Sequence, residues 1–273
     1  HVTGRRPDGY HDLESLVVFG VLGDRLRAQA VPDMHDHLLV EGPFAKFIKT
    51  DNSNLVLRAL KAFRSRWPDM VKTGVKIKLT KNLPVAAGIG GGSADAAAML
   101  RLLAQMAATP IDPAALEQIA LELGADVPVC LLMQPAIMGG VGEKLARVAK
   151  LPPVHMVLAN PGVAIGTREI FAALARRKNP PMAKLPPRFE SARSLAGWLA
   201  TTRNDLAGPA SELVPQIKQI TGFFNDDEHC LFARMSGSGA TVFALYQTEN
   251  DALAAENVFD VDKLHGEAHF LDL

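Results

Sequence analysis

The feature that most constrains this chain is a glycine-rich segment placed between a strand and a helix. Four of the five residues from Gly88 to Gly92 are glycine, and Pro84 marks the start of the segment. Alternating apolar and polar residues over 75–80 predict a strand before it, and the alanine-rich and leucine-rich stretch at 93–106 predicts a helix after it. Because one or two glycines are enough for a tight turn, four of them favour a backbone that closely approaches a ligand.

Such a loop is suited to binding phosphate. Its successive N–H groups can point into one concavity, and the N-terminus of the following helix adds a partial positive charge. Ser93 can cap that helix or present its hydroxyl to a phosphate or to the accompanying metal. The segment is not a P-loop, because no GxxxxGK[ST] is present, and Ser93 replaces the last glycine that a GxGxxG motif requires. The sequence therefore predicts a phosphate-binding loop of another kind.

Three other segments are candidates for functional roles. Met235–Phe243 is a second glycine-rich turn before a strand, and taken alone it is only a plausible turn. Asp126 follows a helix that ends at Gly124 and has apolar neighbours. Its carboxylate is therefore either functional or a simple N-cap, and its position alone does not decide between them. Tyr10 and His11 follow an Asp-Gly turn and could stack on a planar ring, although packing is the commoner role of such residues.

Composition narrows the possible classes of function. Lys plus Arg and Asp plus Glu both number 29, and aromatic residues make up 6% of the chain. A balanced charge and few aromatics argue against a protein that binds nucleic acid or an anionic membrane. The longest apolar runs, such as 16–22, are far shorter than the ~20 residues of a membrane-spanning helix. Cys130 and Cys230 lack metal-binding spacing, which favours free thiols in the cytoplasm.

Strands and helices are intermixed along the chain, which indicates an α/β or α+β fold. A proline pair, Pro152 and Pro153, suggests a first domain at 1–152 with the glycine loop and a second domain at 153–273. The oligomeric state is not predicted. Besides the two elements that flank the loop, the predicted strands are 13–22, 25–30, 154–159, 240–246 and 268–271, and the predicted helices are 54–63, 112–123, 194–201, 210–221 and 251–258.

Four segments together resemble the galactokinase, homoserine kinase, mevalonate kinase and phosphomevalonate kinase (GHMP) superfamily. The first loop, from Pro84 to Ser93, matches the superfamily pattern P-x-x-x-G-[LI]-G-x-x-[SA]. Its Gly91-Gly92 pair, together with the segments 4–11, 123–129 and 235–243, is similar to one branch, whose members phosphorylate a methylerythritol linked to cytidine diphosphate. The resemblance covers essentially the whole chain. It implies an α+β fold of two mixed α/β halves with the active site in the cleft between them.

The resemblance also implies roles for individual residues. Asp126 matches the catalytic aspartate, which positions or deprotonates the attacking hydroxyl. The residues implied to bind ATP are Gly88, Gly90, Gly91, Gly92 and Ser93 at the phosphates and Asn54, Leu55 and Lys81 near the adenosine. The residues implied to bind the substrate are Tyr10 and Phe171 on the two faces of the cytosine, His11 at its edge, Asp95 and Thr167 nearby, and Gly237, Ser238 and Gly239 across the cleft from the first loop.

The family also carries a Lys-x-Asn element on its first strand, just before the position of His1. Its lysine is expected to pair with Asp126 and to meet the transferring phosphate. The sequence begins after that element, and we expect the complete protein to carry it. Mg²⁺ is expected as the counter-ion of ATP, although no motif identifies a protein ligand for it.

The implied function is ATP-dependent phosphorylation of the C2 hydroxyl of the cytidine-diphosphate-linked methylerythritol, in the non-mevalonate route to isoprenoids. One alternative is another GHMP small-alcohol kinase, of the homoserine or mevalonate type, which the Asp8–His11 block disfavours. A second alternative is a nucleotide-binding sensor with a degenerate site, which Asp126 and the two glycine-rich turns disfavour.

Overall fold

The structure is a computed structural model that describes residues 1–259 and 267–272. The chain divides into two compact units. Unit 1 comprises His1–Leu22, Ala86–Ile89 and Pro135–Leu273, and unit 2 comprises Gly23–Val85 and Gly90–Gln134. These units alternate along the chain and do not follow the linear division at residue 152, which stays a prediction about the limits of the family domains.

Both units combine strands with helices, as the intermixed sequence pattern predicts. The strands are β1 (Val2–Arg5), β2 (His11–Val17), β3 (Arg25–Val31), β4 (His37–Glu41), β5 (Gly74–Thr80), β6 (Ala136–Gly140), β7 (Lys144–Arg147), β8 (His155–Asn160), β9 (Cys230–Met235), β10 (Val242–Tyr246) and β11 (Glu267–Asp272). The helices are α1 (Leu55–Arg66), α2 (Gly91–Met106), α3 (Pro113–Leu123), α4 (Val127–Leu132), α5 (Thr167–Ala172), α6 (Ala192–Ala200), α7 (Ala207–Leu213), α8 (Gln216–Asn225) and α9 (Glu249–Val258), with a short 3₁₀ turn at Ala45–Phe47.

Unit 1 contains two antiparallel four-stranded sheets. Their strand orders are β1-β2-β6-β7 and β11-β8-β10-β9. Side chains from the second sheet and from α5, α7, α8 and α9 form its main apolar core. The largest fully buried members of this core are Tyr246, Phe224, Ile170 and Ile217.

Unit 2 is built on a three-stranded sheet of order β3-β5-β4, in which β5 is antiparallel to β3 and parallel to β4. The alternation predicted for β5 is confirmed, because Val75, Ile77 and Leu79 are buried while Lys76 is exposed. Helices α1 and α2 pack against each other. Phe63 of α1 and Leu100 of α2 are fully buried.

The prediction of one continuous helix over 210–221 is wrong. The segment forms two helices, α7 and α8, which are separated by Val214 and Pro215. Proline lacks an N–H and its ring clashes with the preceding turn, so α7 ends before it and α8 starts after it. Helix α2 also begins two residues earlier than predicted, at Gly91, so the glycine-rich segment itself forms the first turn.

The short strands β4, β6, β7 and β9 are among the elements that the sequence did not predict. Their sequences show little alternation, and β6 ends in two glycines, so their pairing partners define them.

Both cysteines are free thiols, as predicted. Within the described residues, every helix is too short or too polar to cross a membrane.

Candidate functional site

The N-terminus of α2 presents unpaired backbone N–H groups. Gly90 is its N-cap, in the left-handed region at φ +70°, and no side chain caps the helix. The first bond of the helix runs from the Ala94 N–H to the Gly90 carbonyl, at 2.9 Å. Among the described residues, the N–H groups of Gly91, Gly92 and Ser93 have no partner. These groups and the helix dipole make a site for an anion, so the loop fits the phosphates of a nucleotide.

Ser93 does not cap α2, which corrects one of the two roles considered for it. It is the third residue of the helix, and the N-cap position is taken by Gly90. The presentation of its hydroxyl to a phosphate stays a prediction. Leu55 adjoins the same turn, since its side chain lies 3.5 Å from where a Cβ on Gly92 would stand. Asn54 has a structural role here, because its side chain accepts a hydrogen bond from the Val56 N–H and caps α1.

Gly88 packs tightly against the second glycine-rich turn within unit 1. Its carbonyl accepts a hydrogen bond from the Ser236 hydroxyl at 3.1 Å. A Cβ on Gly88 would lie only 2.7 Å from the Gly239 nitrogen and 2.8 Å from the Ser236 carbonyl oxygen. Gly237 is equally confined, since its own Cβ would lie 2.7 Å from the Gly88 carbonyl oxygen. The structure therefore brings the two glycine-rich turns together at Gly88, and both turns need glycine for this approach.

Gly88 and Gly90 form a natural matched pair for mutation, because both have φ near +70°. Nothing lies within 4 Å of a Cβ placed on Gly90. Gly90→Ala should therefore lower the free energy of unfolding only by the cost of a left-handed backbone at a residue with a Cβ, about 1–2 kcal/mol. Gly88→Ala adds the clash with the second turn and should lower the free energy of unfolding by about 2–4 kcal/mol. Urea unfolding followed by circular dichroism measures both, and equal losses would contradict the packing role of Gly88.

A buried ion cluster lies next to the first turn of α2. The Lys81 side chain is 2% exposed, and its ammonium contacts the carboxylates of Asp24 and Asp95, with the Asp95 oxygen at 2.9 Å. The other oxygen of Asp24 accepts hydrogen bonds from the backbone N–H groups of Asn82 (2.7 Å) and Leu83 (2.9 Å). The cluster thus fixes the end of β5 to the loop before β3 and to α2.

Two residues of this cluster, Lys81 and Asp95, are ones that the resemblance assigns to ligands. Their charged groups are buried and bonded to each other, so the contacts that the structure shows are structural. Their roles near the adenosine and the substrate stay predictions. Gly91 lets the ammonium approach the helix, since a Cβ there would lie 3.3 Å from Lys81 Nζ. Sequence reasoning missed Asp24, whose signal is an acid between the apolar run at 16–22 and the alternating strand β3.

Asp95 should make the stability of the protein depend on pH. Burial raises its pKa from 3.8 to about 6, against the opposing effect of Lys81 and with a further rise from Asp24. Between these two pKa values the folded protein binds a proton that the unfolded chain has released, so stability falls as pH rises through this window. Asp95→Asn resembles the protonated form, and the stability of the variant relative to the wild type should rise by on the order of 2 kcal/mol between pH 4 and pH 7. Urea unfolding of the wild type and the variant across this pH range tests the prediction. A difference in the free energy of unfolding that stays the same at every pH would contradict it.

Asp126 occupies the N-cap position of α4, but its side chain makes no capping hydrogen bond. Within the described part of the chain, its carboxylate has no hydrogen-bond or ion-pair partner. The surrounding protein raises the pKa of Asp126 by desolvation. Burial, with the Asp126 charge as the next contribution, raises the pKa of the Cys130 thiol to about 12. The geometry therefore disfavours the simple capping role and leaves this carboxylate available for chemistry.

The residues implied to bind the substrate form two contacts in unit 1. His11, the first residue of β2, stacks on Phe171 of α5 with ring centroids 4.9 Å apart and an interplanar angle of 23°. The hydroxyls of Thr167 and Ser238 are 3.1 Å apart. Tyr10 is 65% exposed. Because His11 covers one face of Phe171, the predicted cytosine sandwich needs the other face or a rotation of His11.

The chain matches two models of one protein family. These are the GHMP kinases N-terminal domain over residues 54–134 and the GHMP kinases C-terminal domain over residues 170–260. The solved structure of a 4-(cytidine 5'-diphospho)-2C-methyl-D-erythritol kinase is 33% identical, with a TM-score of 0.79, over 99% of this chain and 93% of that chain. A homoserine kinase from Cytophaga hutchinsonii has a TM-score of 0.68 at 15% identity, covering 91% of this chain and 85% of that chain, which shows a shared fold alone.

Two relatives of higher identity are named as the same kind of kinase. The 4-diphosphocytidyl-2-C-methyl-D-erythritol kinase of Cereibacter sphaeroides (strain ATCC 17025 / ATH 2.4.3) is 49% identical, over 93% of this chain and 88% of that protein. The protein of the same name from Mesorhizobium japonicum is 47% identical, over 93% of this chain and 85% of that protein. The chain therefore belongs to the GHMP kinases, which are ATP-dependent kinases of small molecules, and within them to the family of the 4-diphosphocytidyl-2-C-methyl-D-erythritol kinases.

Proposed function

We propose that this chain transfers the γ-phosphoryl group of ATP to the C2 hydroxyl of 4-diphosphocytidyl-2-C-methyl-D-erythritol, in the methylerythritol phosphate route to isoprenoids. The observation that carries the chemistry is that unit 2 holds both an unpaired carboxylate, Asp126, and the unpaired N–H groups at the start of α2, among the residues that the structure describes. The choice of substrate rests on the likeness to kinases named for it. We place the reaction in the cytoplasm, where ATP is abundant.

Phosphoryl transfer asks a protein mainly for positioning and for stabilisation of negative charge. The backbone N–H groups of Gly91, Gly92 and Ser93 would bind phosphate oxygens, and the α2 dipole would favour the charge that spreads over the transferring group. When bound, Mg²⁺ neutralises part of the charge of the ATP phosphates. The described residues contain no cluster of three or more metal-ligating side chains, so phosphate oxygens and water would supply most of its ligands.

Asp126 would act on the attacking hydroxyl. As a carboxylate it can accept the hydroxyl proton or hold the oxygen in line for attack. Desolvation raises its pKa, which brings the group closer to the neutral range in which a general base is effective. The Asp126 side chain makes no capping hydrogen bond in the described chain, so its oxygens can contact a substrate hydroxyl.

His11 and Phe171 would bind the pyrimidine. Burial lowers the pKa of His11, which favours a neutral imidazole with one donor and one acceptor nitrogen. Its Nε2 is buried and has no partner among the described residues. The edge of cytosine offers both a hydrogen-bond donor and acceptors, so it can form a hydrogen bond with the Nε2 atom of His11. The Phe171 ring already stacks on the His11 ring, and a pyrimidine base could stack on Phe171 in a similar way.

A coupled ADP-release assay tests the proposal. The complete protein with its natural N-terminus is supplied with Mg²⁺ and ATP and, in parallel, with the diphosphocytidyl substrate, homoserine and mevalonate. Turnover with the diphosphocytidyl compound alone is expected. Turnover with homoserine or mevalonate alone would support the alternative kinase, and ATP binding without turnover on any of the three would support the nucleotide-binding sensor.

A further inference from the structure

Two arginines beside the ring stack of unit 1, Arg5 and Arg177, carry guanidinium groups that no acidic group of the described chain engages. Both residues are exposed. Over the described residues, neither side chain makes a hydrogen bond or an ion pair. Their neighbour Arg6 differs, because it pairs with Asp8 at 3.4 Å and with Glu143 at 3.8 Å. Unit 1 therefore holds Arg6 with local carboxylates and leaves Arg5 and Arg177 available for another anion.

The register of the sheet places Arg5 beside the stack. Arg5 ends β1 and lies directly opposite His11 in the antiparallel pair of β1 and β2. Directly opposite residues project on the same face of a sheet, with Cβ atoms ~5 Å apart. Arg5 therefore shares a face with the His11 ring, which is stacked on Phe171.

Arg177 lies in the segment after α5, the helix that carries Phe171. The Asn179 side chain donates hydrogen bonds to the Val2 carbonyl at 3.0 Å and to the Arg176 carbonyl at 3.3 Å, which ties this segment to β1. After burial, the positive charges of Arg5 and Arg177 are the two further causes that lower the pKa of His11. Both charges thus act on the imidazole at the centre of the stack.

We propose that Arg5 and Arg177 form an anion-binding pair that holds the diphosphate of a cytidine diphosphate compound while His11 and Phe171 hold its base. The proposal deepens the proposed function and rests on it for the identity of the base. A diphosphate bridged to the base by one ribose is within reach of cations that flank a base-stacking site. Guanidinium groups suit it because their planar forks of donors match phosphate oxygens. Two unpaired like charges also create a positive potential that attracts an anion.

Isothermal titration of the full chain with CDP and with cytidine tests the pair. The variants are Arg5→Gln and Arg177→Gln, with Arg193→Gln on α6 as an exposed arginine away from the stack. Each of the first two should raise the Kd for CDP by about 5- to 10-fold, as expected for one exposed charge-assisted contact, and leave the Kd for cytidine unchanged. Arg193→Gln should change neither. Unchanged CDP binding in both variants, or equal weakening of CDP and cytidine, would overturn the proposal.

The two proposals fail in distinguishable ways. If the wild type binds CDP more tightly than cytidine in a manner that needs both arginines, but does not phosphorylate the diphosphocytidyl substrate, the anion pair stands and the proposed function fails. If the wild type turns over that substrate while Arg5→Gln and Arg177→Gln leave its KM unchanged and bind CDP normally, the proposed function stands and the anion pair is overturned.

Discussion

Asp126→Asn is expected to lower kcat by about 10²- to 10⁴-fold and to leave the KM for ATP close to that of the wild type. Asparagine keeps the size of the side chain but cannot accept a proton at neutral pH. The Asp126 side chain makes no capping hydrogen bond at α4, so its replacement removes no structural contact of the described chain. Steady-state kinetics with varied ATP and varied acceptor separate the two effects.

The matched control is Glu122→Gln, which neutralises an exposed carboxylate near the end of α3. This variant should keep wild-type turnover. The wild type should also lose activity as pH falls through the pKa of Asp126, which lies above its ordinary value because of desolvation. The Asp126→Asn variant should lack that limb of the profile. Turnover in Asp126→Asn within the range of the control would remove Asp126 from the mechanism.

Lys81→Met is expected to lower the free energy of unfolding by about 3–5 kcal/mol, because it leaves the buried carboxylates of Asp24 and Asp95 without their cation. A buried ion pair adds little net stability, but the loss of one partner is costly. Trp67 lies in unit 2 and Trp198 in unit 1. In a Trp198→Phe background, fluorescence during urea unfolding therefore reports on the unit that contains the cluster.

Two further variants make the result specific to the buried charges. Lys76→Met removes an exposed lysine from the same strand, β5, and should be close to neutral. Combining Lys81→Met with Asp24→Asn and Asp95→Asn should recover most of the loss. The amide oxygen that replaces the Asp24 carboxylate can still accept from the Asn82 and Leu83 N–H groups. A small loss in Lys81→Met, or no recovery in the combined variant, would contradict the role of the cluster.

Local features of this protein could be predicted from sequence because local chemistry determines them. The four glycines between a strand and a helix predict the loop, and the structure adds that Gly91 begins the helix. Gly124 is the C-cap of α3, as predicted, and Pro113 lies in the first turn of this helix. The caps and breakers of these segments act within a few residues, so one sequence is enough to find them.

Features that depend on distant contacts could not be predicted. Asp24 gains its role from contacts with Lys81, Asn82 and Leu83, which lie 57 to 59 residues later in the chain. The interleaved units arise because β2 pairs with β6, far along the chain, which no local pattern encodes. A lysine before a glycine-rich loop gives the same sequence pattern whether it meets a nucleotide or buried carboxylates. For Asp126, only the structure shows that the side chain makes no capping hydrogen bond, which disfavours the capping role.

The most direct test of the central claim identifies the product. The complete protein is incubated with Mg²⁺, ATP and 4-diphosphocytidyl-2-C-methyl-D-erythritol, and the mixture is followed by phosphorus NMR. We expect one new phosphomonoester signal, formed in step with ADP, with the diphosphate bridge intact and the new phosphate coupled to the C2 position. ADP formation without that phosphomonoester, or a phosphate placed on another hydroxyl, would contradict the assignment.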